Sequence, residues 1–419
     1  MFADSAGKAE RGWVIPAARG DRLVDWNLEV LIGFLEKVVQ RRLETNKQTI
    51  NRLTKWEKPS NDASGLIIDE VVEVIELPNY EASRNQKMRT RSSRLTKHVP
   101  TVVRLQLKEF VTCIAGLYRD VPFHNFEHAS HVTMSANKLM RRIVTPIEHA
   151  DGSNKPFNAW ELHTSTFGIS ADPLTQFAVV FAALIHDVDH TGLSNATLVQ
   201  KKFAVARNCN NKSVAEQNSV AVAWALLMEP RFDELQTCLF HNDHGRQRFR
   251  QLVVNSVMAT DIMDSGRLLL RKTRWETAFD PPDGHVGPEE KHNIDRKATI
   301  VIEDLIQASD VAHTMQHWHI FLKWNTRLYN ELYRSFKLGY IADDPTDGWY
   351  EGQIGFFDNY VIPLAMKLRE TGIFGALGDE YLTYAQLNRT EWEQKGHEET
   401  RKMVLQREGV AENTRLLRG

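Results

Sequence analysis

Nine apolar residues in unbroken succession, Phe177–Ile185, run directly into His186-Asp187-Val188-Asp189-His190. No other feature restricts the possible folds as strongly. A helix that is apolar on every side must be enclosed on every side. The far end of this one delivers two imidazoles and two carboxylates to the place where the core lies. A lone buried carboxylate costs several kcal/mol or more in lost hydration, so partners or a cation must compensate it. Adjacent His and Asp side chains lie about 100° apart around a helix and can converge on one point beyond its last turn. A neutral nitrogen beside a hard oxygen suits zinc, iron or manganese. The plainer reading of the same pair is a satisfied capping network.

Around this segment the pattern is helical. Val102–Tyr118, His128–Val144, Asp172–Ile185, Ser213–Met228, Gln247–Met263, Asp295–Arg334 and Asp358–Thr371 all carry apolar residues at helical spacing. Asp172 before Pro173 reads as a cap followed by a proline at the first helical position. Asp25–Thr45 predicts a further helix, capped by Asp25, with a narrow stripe of Leu28, Leu31, Leu35 and Val38. That stripe fits either the domain's own core or a coiled-coil seam with a second chain, the one clue to a homodimer. GLIIDEVVEVIEL, within Ser60–Pro78, is ambiguous between strand and helix. DGSNKPFN, FDPPDGHVGPEE and ADDPTDG mark loops. The expected fold class is all-α, a compact multi-helix domain. The basic, polar stretch Asn79–Pro100 reads as a linker, so residues 1–100 form an N-terminal helical segment and linker, 101–405 the main domain and 406–419 a frayed tail.

Composition excludes several classes. The net charge is −2, which gives no strong field for nucleic acid or an anionic membrane. Three cysteines without CxxC spacing argue against a disulfide framework and fit a reducing compartment. The first residues have no apolar core of the kind a signal peptide carries. The longest apolar run falls far short of the roughly 20 residues that span a bilayer. A soluble cytoplasmic chain is expected, or the cytosolic part of a larger membrane protein.

Two further segments present His or Asp amid apolar residues. FHNFEHA places His124 and His128 four residues apart, one above the other if the segment is helical. In IQASDVAHTMQHW, Asp310 lies inside the predicted long helix, where Asp has poor propensity and needs a partner. FHNFEHA, HDVDHTGLSN, AEQNS, ATDIM, SDVAHT and GQIGFFDNYVIPL follow one another in the order and rough spacing of a known pattern. Across Thr101–Gly396 the chain resembles the class I cyclic nucleotide phosphodiesterase catalytic domain, an HD-type metal phosphohydrolase.

The resemblance implies a binuclear metal centre that hydrolyses 3′,5′-cyclic nucleotides, cyclic AMP or cyclic GMP, to 5′ monophosphates. By that match His128, His186, Asp187 and Asp310 would hold the tighter ion, usually zinc. Asp187 would also reach a second, more hydrated ion, magnesium or manganese. Hydroxide generated at the metal pair would attack phosphorus. His124 matches the general acid that protonates the leaving oxygen. His190, Asp189, Glu216, Thr260 and Asp261 would support the ligands or their waters. Gln353 matches the glutamine that hydrogen-bonds the purine and Phe356 the phenylalanine that stacks on it. Leu328 and Leu332 would form the opposite wall.

The chain departs from the family pattern at three places. Phe123 stands where tyrosine is common. His313 stands where many members have Asn, on the pocket side if the helix continues past Asp310. EQNS replaces the commoner Glu-Asn-His-His. These departures leave base preference open. FHNDHG, Phe240–Gly245, reads as a solvated loop, and His317 and His319 as surface or packing residues. The alternatives are another metal phosphohydrolase, or a non-catalytic cyclic-nucleotide sensor.

Overall fold

The structure, a computed structural model, describes residues 17–46, 66–79, 99–144, 159–240, 242–279 and 290–416. Among these there are helices and no strand, as the all-α expectation requires. The longer helices are α1 (Ala17–Asn46), α2 (Thr101–Leu117), α3 (Phe126–Val144), α4 (Pro173–Ile185), α5 (Val214–Leu227) and α6 (Asp243–Met258). They continue with α7 (Ser265–Phe279), α8 (Glu290–Asp310), α9 (Trp318–Lys337), α10 (Trp349–Phe356), α11 (Ile362–Glu370) and α12 (Ala376–Leu416).

Helix α4 is the hub, because its apolar run leaves it no face for water. Every residue of it except Leu174 is buried. It packs against α1, α3, α6 and α8. The Phe181 ring lies 5.4 Å from Phe110, 5.9 Å from Phe177 and 5.5 Å from Phe249. Such ring pairs each add about 0.5–1.5 kcal/mol beyond the area they bury. Asp172 stands at the N-terminus as expected, but it does not cap through its side chain. Its carboxylate instead accepts from the Thr175 hydroxyl and the Arg248 guanidinium. Burial opposes the charge, yet these partners hold the carboxyl below its usual range.

Helix α1 begins at Ala17, so Asp25 lies in its interior and pairs with Lys108 of α2 at 2.8 Å. Leu28, Leu31, Leu35 and Val38 are all buried, and α1 packs on α2, α3 and α4. The stripe is therefore spent within the chain and offers no coiled-coil seam. The ambiguous segment that follows is neither strand nor helix. Ile67–Glu70 makes one 3-10 turn, and the chain then runs irregularly, with a bend at Glu73–Val74, to Asn79. Most of the expected basic linker, residues 80–98, and most of the DGSNKPFN loop lie outside the described residues.

The predicted long helix Asp295–Arg334 is two helices. Helix α8 ends at Asp310, Ala312–Met315 form a 3-10 turn, and α9 starts at Trp318. The Asn388 side chain, reaching across from α12, donates to Thr314 O at 2.9 Å and Gln316 O at 2.7 Å and fixes that corner. Apolar spacing continues through the break, which is why periodicity misses it. Helix α6 likewise stops at Met258, short of the expected Met263. Within Phe240–Gly245, Asp243–Gly245 open α6 rather than a loop, and the Asn242 side chain caps them by accepting from Gly245 N at 2.9 Å. Asp358–Thr371 contains a π-turn at Phe357–Val361 before α11. Residues past Gln406 continue helix α12, and Arg407 donates to the Tyr329 hydroxyl at 2.8 Å.

Two substitutions test this packing. Phe181→Ala is expected to cost about 3–5 kcal/mol in chemical denaturation, the usual range for a fully buried ring. Leu35→Ala is expected to cost about 2–5 kcal/mol while leaving the mass in solution unchanged, since the side chain packs within its own chain.

Candidate active site

Three helix ends meet at one point. Helix α4 ends when Val188 N donates to Ile185 O at 3.1 Å and Asp189 turns to φ 64°. That left-handed residue stops helical propagation. Helix α8 stops at Asp310, and α3 begins just before His128. The two C-termini direct the negative ends of their dipoles toward the same region, which favours a cation there.

His186 Nδ1 lies 3.0 Å from Ala183 O, and the tautomer that donates there turns Nε2 to the carboxylates. That Nε2 lies 3.1 Å from Asp187 Oδ2 and 3.3 Å from Asp310 Oδ1. Burial opposes charge on this ring, but Asp187 and Asp310 raise its pKa well above the ordinary value. His128 Nε2 lies 3.0 Å from Asp310 Oδ1 and 3.6 Å from Asp187 Oδ2. His186 Nε2 is buried and makes no hydrogen bond. One candidate ligand atom each from His128, His186 and Asp310 fall within 4.8 Å of one another. Imidazole nitrogens gathered against carboxylate oxygens form a donor set that a divalent cation would hold in place of the ring proton. Burial opposes the Asp187 charge, but His186 and His124 outweigh it and keep the carboxyl well below its usual range. The donor set fits a divalent ion with open positions.

His124 stands in the turn before α3 and is partly exposed. Its Nδ1 meets Glu331 Oε1, while Glu331 Oε2 accepts from the backbone N–H of Phe123 at 2.8 Å and of His124 at 3.1 Å. The Glu331 side chain is only 3% exposed, so water does little to weaken the pair. Burial works against the charged ring, but Glu331, Asp187 and Asp310 raise the pKa to about 9. His190 stacks on His124 with ring centres 3.9 Å apart, and its Nδ1 accepts from Gly192 N at 3.1 Å. Burial and the neighbouring His124 push His190 down to about 4, so it is the neutral member of the pair.

The supporting residues divide. Asn195 donates to Glu216 Oε2 at 2.9 Å and approaches Asp261 Oδ2 at 3.5 Å. Burial and Asp261 raise Glu216 to about 7. Thr260 turns its hydroxyl back to Val257 O at 2.8 Å. Asp189, expected to orient a ligand, instead binds Arg119 at 2.7 Å and Asn218 at 3.2 Å. Ser219 of the unusual EQNS sequence holds Val188 O at 3.0 Å, and Asn218 holds Asp189, so these residues brace the turn that carries Asp187.

Phe123 packs against His124, His128, His313 and Trp324 with ring centres 4.8, 4.6, 5.6 and 5.7 Å away. His313 lies in the 3-10 turn rather than one helical turn beyond Asp310. It is buried, and its Nδ1 has no hydrogen-bond partner. Burial holds its pKa well below the ordinary value. Gln353 is buried on α10, and Phe356, half-buried, stacks on Tyr360 at 5.4 Å. Leu328 and Leu332 are half-buried on α9. His317 bonds Tyr384 at 3.2 Å and stacks with His319, away from Asp310's partners.

Comparison with known proteins decides the family. Residues 123–372 match the family model for 3′,5′-cyclic nucleotide phosphodiesterases. The chain belongs to the 3′,5′-cyclic nucleotide phosphodiesterase family. It is 27% identical to a probable 3′,5′-cyclic-AMP phosphodiesterase of Caenorhabditis elegans, over 59% of this chain and 34% of the relative. It is 26% identical to a 3′,5′-cyclic-AMP phosphodiesterase isoform of Drosophila melanogaster, over 76% of this chain and 47% of the relative. The match thus spans less than half the length of these curated relatives. The phosphodiesterase domain of Salpingoeca rosetta rhodopsin phosphodiesterase shares the fold, at TM-score 0.54 and 19% identity over 78% of this chain and 90% of that one. The family is metal-dependent, and the donor set described above fits that requirement.

Sequence alone does not single out Glu331 or Asn195. Glu331 leaves one signal: an acidic residue between Leu328 and Leu332 on an apolar helix face needs a cationic partner. In the metal-free protein, Glu331→Gln is expected to move the His124 titration from about 9 toward 6.5. The imidazole Cε1–H shift in NMR measures it. Because the folded pKa is raised, the pair's contribution to stability is full below about pH 6.5 and is lost as pH rises through about 9.

Proposed function

We propose that this chain hydrolyses 3′,5′-cyclic nucleotides to 5′ monophosphates and so ends a cyclic-nucleotide signal. The observation that carries the reading is the convergence of buried His186 Nε2 and His128 Nε2 on Asp187 and Asp310, next to a proton-bearing His124. His128, His186, Asp187 and Asp310 hold a tight zinc ion in this reading. Asp187, with Glu216 and Asp261 in support, would hold a magnesium or manganese ion. When bound, such ions neutralise phosphate charge and bring a water's pKa toward about 7.

The chain's own groups supply the rest. Glu331 accepts a hydrogen bond from His124 Nδ1–H and leaves Nε2–H as the proton to deliver. As the bond from phosphorus to the 3′ oxygen breaks, His124 Nε2 gives that proton to the departing oxygen. Neutral His190 stacks on the ring and limits its rotation. Phe123 and Trp324 keep water from His128. Gln353 hydrogen-bonds the purine edge, Phe356 covers one face of the ring, and Leu328 and Leu332 cover the other. His313 lies near enough to His128 to bear on the base. The relatives named as cyclic-AMP enzymes favour cyclic AMP as the first substrate to assay.

The deciding experiment measures hydrolysis of cyclic AMP and cyclic GMP side by side, with and without magnesium. Turnover that requires a divalent ion supports the reading, and no turnover of either nucleotide with metal bound would sink it. His124→Ala is expected to lower kcat by about 10²–10⁴ while retaining the metal. In Glu331→Gln the alkaline limb of the kcat profile is expected to move to lower pH, since the acid loses its proton earlier.

A further inference from the structure

The segment from the first 3-10 turn to Leu77 is bound as a ligand would be bound. Four polar side chains from three helices hold its backbone groups, Asn255 holding two. Ile68 N donates to Gln217 Oε1 at 3.3 Å. Val72 N donates to Asn255 Oδ1 at 3.2 Å, and Asn255 Nδ2 returns a bond to Val72 O at 2.8 Å. Ile75 N donates to Thr299 Oγ1 at 2.8 Å, and Leu77 N to Asp295 Oδ1 at 3.2 Å. Lys291 then reaches Leu77 O at 3.2 Å. Ile75 and Leu77 are buried as anchors, and Glu70 forms a two-pronged pair with Arg250 at 2.5 and 2.6 Å.

Side chains that pair both edges of a single extended peptide, together with apolar sockets for alternate residues, are how proteins recognise strands. Among the described residues no neighbouring strand shares this one. Without the segment, Asn255, Thr299 and Asp295, all buried, would lose the backbone partners they now hold.

The receiving residues also sit on the elements that build the site. Gln217 directly follows Glu216. Asn255 lies on α6, which leads into Thr260 and Asp261. Asp295 and Thr299 lie on α8, which ends in Asp310. Occupancy of the groove thus ties together α5, α6 and α8, the helices that carry or lead into these three carboxylates.

We propose that the surface lined by Gln217, Asn255, Thr299 and Asp295 is a peptide-binding groove, filled in cis by the chain's own Ile67–Leu77, and that its filling holds Glu216, Asp261 and Asp310 in register. The register half of this proposal rests on the metal-centre reading above; the groove half does not.

The full-length chain tests both halves. Ile75→Asp removes a buried anchor and opens the groove. A fluorescent peptide of residues Leu66–Asn79 is expected to bind that variant at least tenfold more tightly than the parent, whose groove is already filled. Saturating peptide is expected to return the variant's rate of zinc loss to a chelator toward the parent rate. Equal peptide binding to both proteins would overturn the groove. Tighter binding to the variant with no change in zinc loss would overturn the coupling and leave the groove standing. Should Ile75→Asp fail to fold, Thr299→Val keeps the side-chain volume and removes the hydroxyl that accepts from Ile75 N and donates to Asp295 O. Hydrogen exchange at the Ile75 amide is then expected to quicken at least tenfold, with α4 unchanged, and an unaltered rate there would refute the latch.

Discussion

Burial of Asp187 and Asp310 beside His128 and His186 is the constraint on which the rest depends. Each carboxylate stands at the end of a helix whose inner turns are apolar. Neither can be hydrated in full, and the imidazoles of His128 and His186 face them at 3.0–3.6 Å. The dipoles of two helix C-termini add negative potential at the same place. Taken together, these effects make a site whose preferred occupant is a small, strongly charged cation. Removing one imidazole by mutation would leave the carboxylates in place and the charge still uncompensated, so the ligands act as a set.

Much of this is legible in the sequence, for a physical reason. The all-round apolar run of α4 forces enclosure, and polar groups at its end then demand compensation. That logic alone leads to His186 and Asp187. Asp310 stands out by a partly mistaken route. Periodicity makes it an anomaly inside a long helix, whereas it terminates α8. Apolar spacing runs unbroken through the 3-10 corner at Ala312–Met315, and the group that fixes this corner is Asn388, far along the chain. A distant capping residue leaves no trace in local periodicity.

The stripe on α1 misleads for the same reason. Apolar residues three and four apart state only that one face is apolar, not what covers it. Here the cover is α2, α3 and α4 of the same chain. Asp189 illustrates the complementary error. Its place in the His-Asp sequence suggests a role toward the ligands, yet its positive φ turns the carboxylate outward to Arg119 and Asn218. Backbone conformation, which the residue name does not disclose, decides the direction.

Glu331 shows why the acid is harder to read from sequence than the metal ligands. His124 is only partly buried, and its immediate neighbours along the chain carry no charge that would shift its proton affinity. The carboxylate that does so arrives from α9, 207 residues later, and is oriented by the backbone N–H groups of Phe123 and His124 themselves. The turn that presents the imidazole therefore also fixes the group that charges it. A shift in α9 relative to that turn would alter the geometry and the proton affinity of His124 together. Packing along α9, through Trp324 against the rings of Phe123 and His128, is thus as much a determinant of the acid as Glu331 itself.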